Sequence, residues 1–170
     1  IVYAIVAGSG SATVDASGII TGVSVGTVTL TTTSTGDTNY YAATASQLIT
    51  INKTTPVLTI TSANTINVDG TLTATVTTTA TYGRGGAFIY ALVAGSGSAT
   101  VNANTGLIKG VSIGTVTLTV TSAGDTNYNV ATTSQLITIG KTTPVLTFTS
   151  ANTVNVDGSL TATITTTASS

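Results

Sequence analysis

Apolar and polar side chains alternate with a period of two along most of this chain. In Thr115-Val116-Thr117-Leu118-Thr119-Val120-Thr121 the Val and Leu side chains fall on one face of an extended backbone and the Thr on the other. Leu72-Thr73-Ala74-Thr75-Val76 and Leu146-Thr147-Phe148 repeat the device. Such alternation suits antiparallel sheets with one buried and one wet face. Turn signals separate the runs: Asp69-Gly70, Gly83–Gly86, Gly95-Ser96-Gly97, Asn104-Thr105-Gly106 and Gly124-Asp125-Thr126-Asn127. The pattern predicts strands near 56–61, 64–68, 71–79, 87–93, 98–101, 107–109, 115–121 and 132–139. No stretch carries a 3.6-residue apolar stripe, so the expectation is an all-β chain with essentially no helix. Seven or eight short strands in one stretch of this length predict a two-sheet sandwich of immunoglobulin type.

The pattern also repeats. Residues 1–52 align with 88–140 at about 38 of 52 identical positions, with one extra residue near Thr105. Residues 53–81 align with 141–169 at about 24 of 29. The period is therefore 87 to 88 residues, enough for an independent core. Three segments follow: 1–52 is the C-terminal part of one repeat, 53–140 a complete repeat, and 141–170 the N-terminal part of the next. Differences between copies keep apolar positions apolar, as in Ile60/Phe148, Ile66/Val154, Val76/Ile164 and Val25/Ile113. Asp15/Asn102, Thr21/Lys109 and Tyr41/Asn129 fall in expected turns or at outward positions. The expected fold class is thus tandem immunoglobulin-like β-sandwiches.

Composition narrows the function. Thr supplies 43 of 170 residues, whereas charged residues make up 5% and the net charge is −1. Stiff β-branched side chains favour strands. There is no His, Cys, Met or Trp, and all five acids are Asp: Asp15, Asp37, Asp69, Asp125 and Asp157. Without His, Cys or Glu, most acid–base pairs, thiol nucleophiles and tight transition-metal sites have no parts to be built from. Ser is abundant but has no base to activate it. The expectation is no enzyme, no catalytic residues, no cofactor and no metal. Four cations make no nucleic-acid footprint, and no apolar run reaches the roughly 20 residues of a membrane span. Few cytosolic proteins stay soluble on hydroxyls and amides alone; such a surface suits an extracellular polymer. The chain opens at Ile1 without Met or a secretory leader and reads as part of something longer.

The run Ala99–Leu118, containing Gly106-Leu107-Ile108-Lys109-Gly110-Val111 and Gly114-Thr115-Val116-Thr117-Leu118, resembles the bacterial immunoglobulin-like (Big) domains. The same pattern stands at Ala12–Leu30, and Gly-Asp-Thr-Asn-Tyr at Gly36–Tyr40 and Gly124–Tyr128 is similar to an extension common in tandem Big modules. The usual Trp of the third strand is replaced by Tyr3 and Tyr90. The Thr-rich, charge-poor style is similar to the giant repetitive adhesins of gliding Bacteroidota. The resemblance implies a stalk segment of a bacterial cell-surface adhesin, extracellular, giving reach and rigidity. The alternative is a ligand- or carbohydrate-binding module that touches its target directly.

Each candidate site has a functional and a plain reading. The Asp and Asn oxygens of the turns at Asp37 and Asp125 offer ligands to Ca²⁺, but Asp and Asn in such turns ordinarily cap their own backbone. Asp69-Gly70 and Asp157-Gly158 read as hairpin or sheet-switch turns, with an interdomain metal clip as the alternative. Tyr3 and Tyr90 are core rings or, alternatively, a sugar-stacking platform. Tyr40 and Tyr128 suit a plug like the tyrosine corner; Tyr41 has no aromatic counterpart, because Asn129 replaces it. Lys53 and Lys141 mark module starts, with an isopeptide link as the alternative. Tyr82–Gly86 reads as a flexible loop, since a phosphate cradle needs a helix behind it.

The junction Leu136–Pro144 has almost no linker, which predicts a semi-rigid rod whose partners are neighbouring repeats of the same chain. With so few charges to guard strand edges, lateral assembly is one expectation. Another is that strands 141–170 of one chain complete residues 1–52 of its neighbour.

Overall fold

The computed structural model describes residues 1–83 and 85–167. Among these, every regular element is a strand. The first segment contains β1 (Val2–Ala7), β2 (Ser11–Val14), β3 (Ile20–Ser24), β4 (Gly26–Ser34) and β5 (Ala43–Ile51). The central segment contains β6 (Leu58–Ile60), β7 (Thr65–Asn67), β8 (Thr71–Thr73), β9 (Val76–Thr78), β10 (Phe88–Ala94), β11 (Ser98–Val101), β12 (Leu107–Ser112), β13 (Gly114–Ser122) and β14 (Ala131–Gly140). The last segment keeps only β15 (Leu146–Phe148) and β16 (Ile164–Thr166).

In the central segment one sheet has the order β10-β13-β14-β7 and another β11-β12-β8, with β6 and β9 as a third, two-stranded piece. β7 runs parallel to β14, while the other pairs are antiparallel. All three pieces feed one core. Ile66, Tyr90, Val116, Leu118, Val120, Ile137 and Ile139 from the larger sheet meet Ile108 from the smaller one. Ile60 and Val76 close the core from the hairpin side. β13 shows why period two is enough: Val116, Leu118, Val120 and Ser122 are buried, while the intervening Thr are half-buried.

The expected single strand over 71–79 is two strands. Alternation continues through Leu72, Ala74 and Val76, but the backbone changes partners. β8 pairs with β12, whereas β9 pairs with β6. Between them the Ala74 N–H donates to Gly106 O (2.9 Å) and the Thr61 N–H to Thr75 O (2.9 Å). The strand expected at 107–109 extends to Ser112.

The chain crosses between the two large sheets at Asn67–Gly70. Val68 N–H donates to Gly140 O of β14 (3.0 Å), and Asp69 N–H to Gly110 O of β12 (3.0 Å). Gly70 N–H closes the turn on Asn67 O (2.9 Å), with Asp69 at φ 62°. Asp157, at the matching position, has the same φ, and Gly158 N–H closes on Asn155 O (3.0 Å). This turn therefore forms whether or not strands are present to be joined.

The outer segments hold parts of the same plan. β1-β4-β5 and β2-β3 reproduce the registers of β10-β13-β14 and β11-β12, so that Val2↔Thr33 matches Ile89↔Thr121. β15·β16 reproduces β6·β9, so that Leu146↔Thr166 matches Leu58↔Thr78. Burial differs sharply at many positions, although Val28 is as fully buried as Val116. Leu58 is 7% exposed and Leu146 65%; Tyr128 is 6% exposed and Tyr40 75%. Residues 153–155 and 159–161 are not strands, although the matching 65–67 and 71–73 are β7 and β8. The difference is the missing partner: β7 needs the edge of β14, and β8 needs the edge of β12.

Candidate functional site

The most elaborate polar construction lies where residues 1–52 meet the central segment, and Asp125 starts it. Its Oδ1 accepts the N–H groups of Asn127 (2.8 Å) and Tyr128 (2.9 Å), and its own N–H donates to Tyr128 O (3.1 Å). The carboxylate is thus occupied in shaping the turn, as Asp commonly does. Tyr128 anchors the turn to the body. Its ring is buried, and its hydroxyl accepts the N–H groups of Thr81 (2.8 Å) and Tyr82 (3.0 Å). The incoming chain threads along this turn. Asn129 N–H donates to Thr54 O (2.9 Å), and Lys53 Nζ donates to Asp125 O (2.7 Å).

With the turn fixed, Asn127 reaches across to the preceding segment. Its Oδ1 accepts the Val25 N–H (3.0 Å), and its Nδ2 donates to Val23 O at 3.5 Å. One amide side chain thereby satisfies an acceptor near the end of β3 and a donor in its connection to β4. The sequence offers the Asn of Gly-Asp-Thr-Asn-Tyr only as a turn former or an oxygen donor to Ca²⁺; its role across the junction is a finding of the structure. A signal was present in the chain itself. Asn39 and Asn127 are identical between copies, whereas the positions just after the shared Tyr, Tyr41/Asn129 and Ala42/Val130, differ.

The matching turn in the first segment is built alike but faces solvent. Asp37 Oδ1 accepts the Asn39 (2.7 Å) and Tyr40 (2.9 Å) N–H groups. Asn39, Tyr40 and Tyr41 are exposed, Tyr41 at 98%. At the other junction, Thr142 Oγ1 donates to Val68 O. Beside it lies an open cleft lined by Val68, Asp69, Ile113, Lys141, Thr142 and Pro144, among others. Ile113, Lys141 and Thr142 are the counterparts of Val25, Lys53 and Thr54. This cleft thus occupies the position that the Asn127 turn fills at the first junction.

The remaining candidates are distributed through the fold. Tyr90 is buried, its ring lying where a Cβ on Gly106 would come within 2.9 Å; Tyr3 lies in the same way over Gly18. Tyr90 therefore has no face free for a sugar. Asp69 forms an ion pair with Lys109 (3.4 Å) with both side chains more than half exposed, a contact worth under about 1 kcal/mol. In the loop after β9, Ser122 Oγ, fully buried, donates to Gly85 O, and Gly83, Gly85 and Gly86 all have positive φ. Arg84, the cation of that loop, lies outside the described residues. Among the described residues no three His, Cys, Asp or Glu side chains gather, and no helix is long and apolar enough to cross a membrane.

No protein-family model and no curated protein matches the chain.

Asn127→Ala is expected to preserve both flanking sheets, because the turn rests on Asp125 and Tyr128. It removes the bridge to Val23 and Val25 at a cost of about 1 kcal/mol per hydrogen bond. Backbone ¹⁵N relaxation should show residues 1–52 tumbling more independently of 53–140. Unchanged relaxation would show that Asn127 does not brace the junction.

Proposed function

We propose that this chain is a segment of the stalk of a large bacterial cell-surface adhesin, built of tandem immunoglobulin-like β-sandwiches of the Big type and working outside the cell. What carries the reading is the junction. β14 ends at Gly140 and β15 begins at Leu146, so the connection between them is short, and the preceding junction is pinned by an asparagine amide. Short, pinned junctions restrict hinge motion and turn repeats into a rod. The central core is built mainly of Val, Ile and Leu, and the Thr-rich faces of the strands lie outside it, an arrangement that suits span more than chemistry. Its partners on this reading are its own neighbouring repeats, and adhesion follows from reach.

A second reading draws on Tyr40 and Tyr41, two adjacent exposed rings. An aromatic pair of this kind suits stacking against a carbohydrate. The same assay separates the two. The chain 1–170 applied to a glycan array and to whole cells is expected to give no saturable binding. Saturable binding that disappears in Tyr41→Ala would replace the stalk with a ligand-binding module.

A further inference from the structure

The outward face of the larger sheet is nearly identical in both copies and carries no charge. We propose that two copies of this chain lie side by side with these faces together, so that the stalk is a pair of rods. The proposal rests on the stalk reading for its rod. The two fail separately: the stalk by binding a ligand, the pairing by remaining monomeric.

The face belongs to the complete central segment. The front strands of that segment cover the opposite, inward side of the sheet. Register places rows of side chains across β10, β13 and β14: Ala91-Thr119-Ser134 is one, Val93-Thr117-Leu136 the next. Val93 is 62% exposed and Leu136 56%, with Thr117 half-buried between them. The central segment has chain before and after it, and this row is exposed all the same. In the first segment Val6-Thr29-Leu48 forms the same row on β1, β4 and β5, with both apolar ends exposed.

Comparing the copies singles this face out. Along β1, β4 and β5 the outward positions differ from those of β10, β13 and β14 at one of eleven, Val2/Ile89. The inward positions of the same strands differ at three: Ile5/Leu92, Thr32/Val120 and Ala45/Thr133. Exposed positions are the ones a fold restrains least, yet here the outside has changed less than the core. The smaller sheet shows the ordinary pattern. Its outward Ile19 and Thr21 become Leu107 and Lys109, and Lys109 pairs with Asp69.

The chemistry of the face identifies the occupant. It gives a charged partner nothing to pair with. Its hydroxyls partly satisfy one another across strands, Thr121 with Thr132 (3.3 Å) and Thr31 with Ser46 (3.5 Å), which lowers the cost of removing water. Two such faces can pack as the sheets of a sandwich do, about 10 Å apart. Three strands of seven residues present roughly 14 by 24 Å. One pair of faces therefore buries on the order of 700 Å², under the roughly 1,200 Å² of a stable complex, and a second pair brings the total above it. A partner must then repeat at this chain's own interval to engage both. A second copy does so, at the same 87 to 88 residues. Whatever turn separates successive modules, two identical rods share it and can wind about each other. The contact uses the face and not the sheet edge. Tyr90 N–H on the edge strand β10 donates to Ala103 O (2.9 Å), so the loop after β11 closes the middle of that edge.

The test uses the whole chain. Sedimentation velocity on 1–170 should show a monomer–dimer equilibrium between about 10 μM and about 1 mM. Leu48→Lys together with Leu136→Lys puts ammonium groups into the contact at two exposed positions. Association should weaken at least about tenfold, with the circular dichroism unchanged. Thr13→Lys together with Thr100→Lys adds the same charge on the outer face of the smaller sheet and should leave association as it was. A chain that is monomeric at about 1 mM would overturn the proposal. Equal weakening by the two double variants would reduce the effect to net charge and overturn it too. So would association unmoved by Leu48→Lys with Leu136→Lys, which would place the contact on another surface. Monomers that instead pellet with insoluble cellulose, and lose that binding in the same double variant, would give the face to a polysaccharide and overturn it as well.

Discussion

Tyr90→Ala is expected to cost the central module about 3–5 kcal/mol, the range for deleting a large ring from a packed core. Tyr90 is 8% exposed and lies opposite Val120 on β13. Its ring fills the space over Gly106, where the absence of a side chain lets ring and backbone meet. Gly106 also has φ +69°, so substitution there is strained as well as crowded. Nothing covalent compensates, because the chain has no cysteine. Total stabilities of small domains are about 5–15 kcal/mol, so this one change removes a large share. Guanidinium unfolding followed by circular dichroism measures it. A loss below about 1 kcal/mol, the scale of a surface change, would mean that the ring is not part of the core.

Gly110→Val should be nearly as severe, through excess volume instead of a cavity. The Cβ would stand 2.6 Å from Asn67 O and 3.2 Å from both Ile139 Cγ2 and Ile66 Cγ1. Gly110 also receives the crossing chain: its carbonyl accepts from Asp69 N–H, and its N–H donates to Gly70 O (3.1 Å). A backbone oxygen held at both ends has no rotamer to escape into. A loss of about 3 kcal/mol, the upper end for overpacking, is expected. Gly22→Val gives the matched control, since that position meets only the Ile51 side chain, and the same unfolding assay should change little. Equal losses at the two glycines would remove the argument that the front strands close over Gly110.

These contrasts show what the sequence alone could reveal. Period-two alternation places the strands, because the side-chain period follows directly from extended backbone. It does not place the partners. Leu72, Ala74 and Val76 keep one rhythm, yet the backbone leaves β12 for β6 between them, and alternation carries no information about that. Residues 153–155 nearly repeat 65–67 and do not form a strand. Strand formation there depends on an edge contributed by residues far away in sequence. The turn at Asp69 and Asp157 was legible, because short-range chemistry fixes it, and it is the same in both settings. The Asp125 turn was legible for the same reason. Asn127 was not, because its partners lie 102 and 104 residues away. Sequence likewise left open whether Tyr90 faces a ligand or the core; burial between sheets settles that point.

On this structure the front strands, and not the local sequence, hold the back sheet of each module together. β4 and β13 test it within one molecule, because Gly26–Ser34 and Gly114–Ser122 differ only at Thr32/Val120. The measurement is amide hydrogen exchange on 1–170, read by NMR at a concentration where the chain is monomeric. Val116, Leu118 and Val120 should exchange only through opening of the whole module, and Val28, Leu30 and Thr32 at least about a hundredfold faster through local opening. Equal protection in the two strands would contradict it.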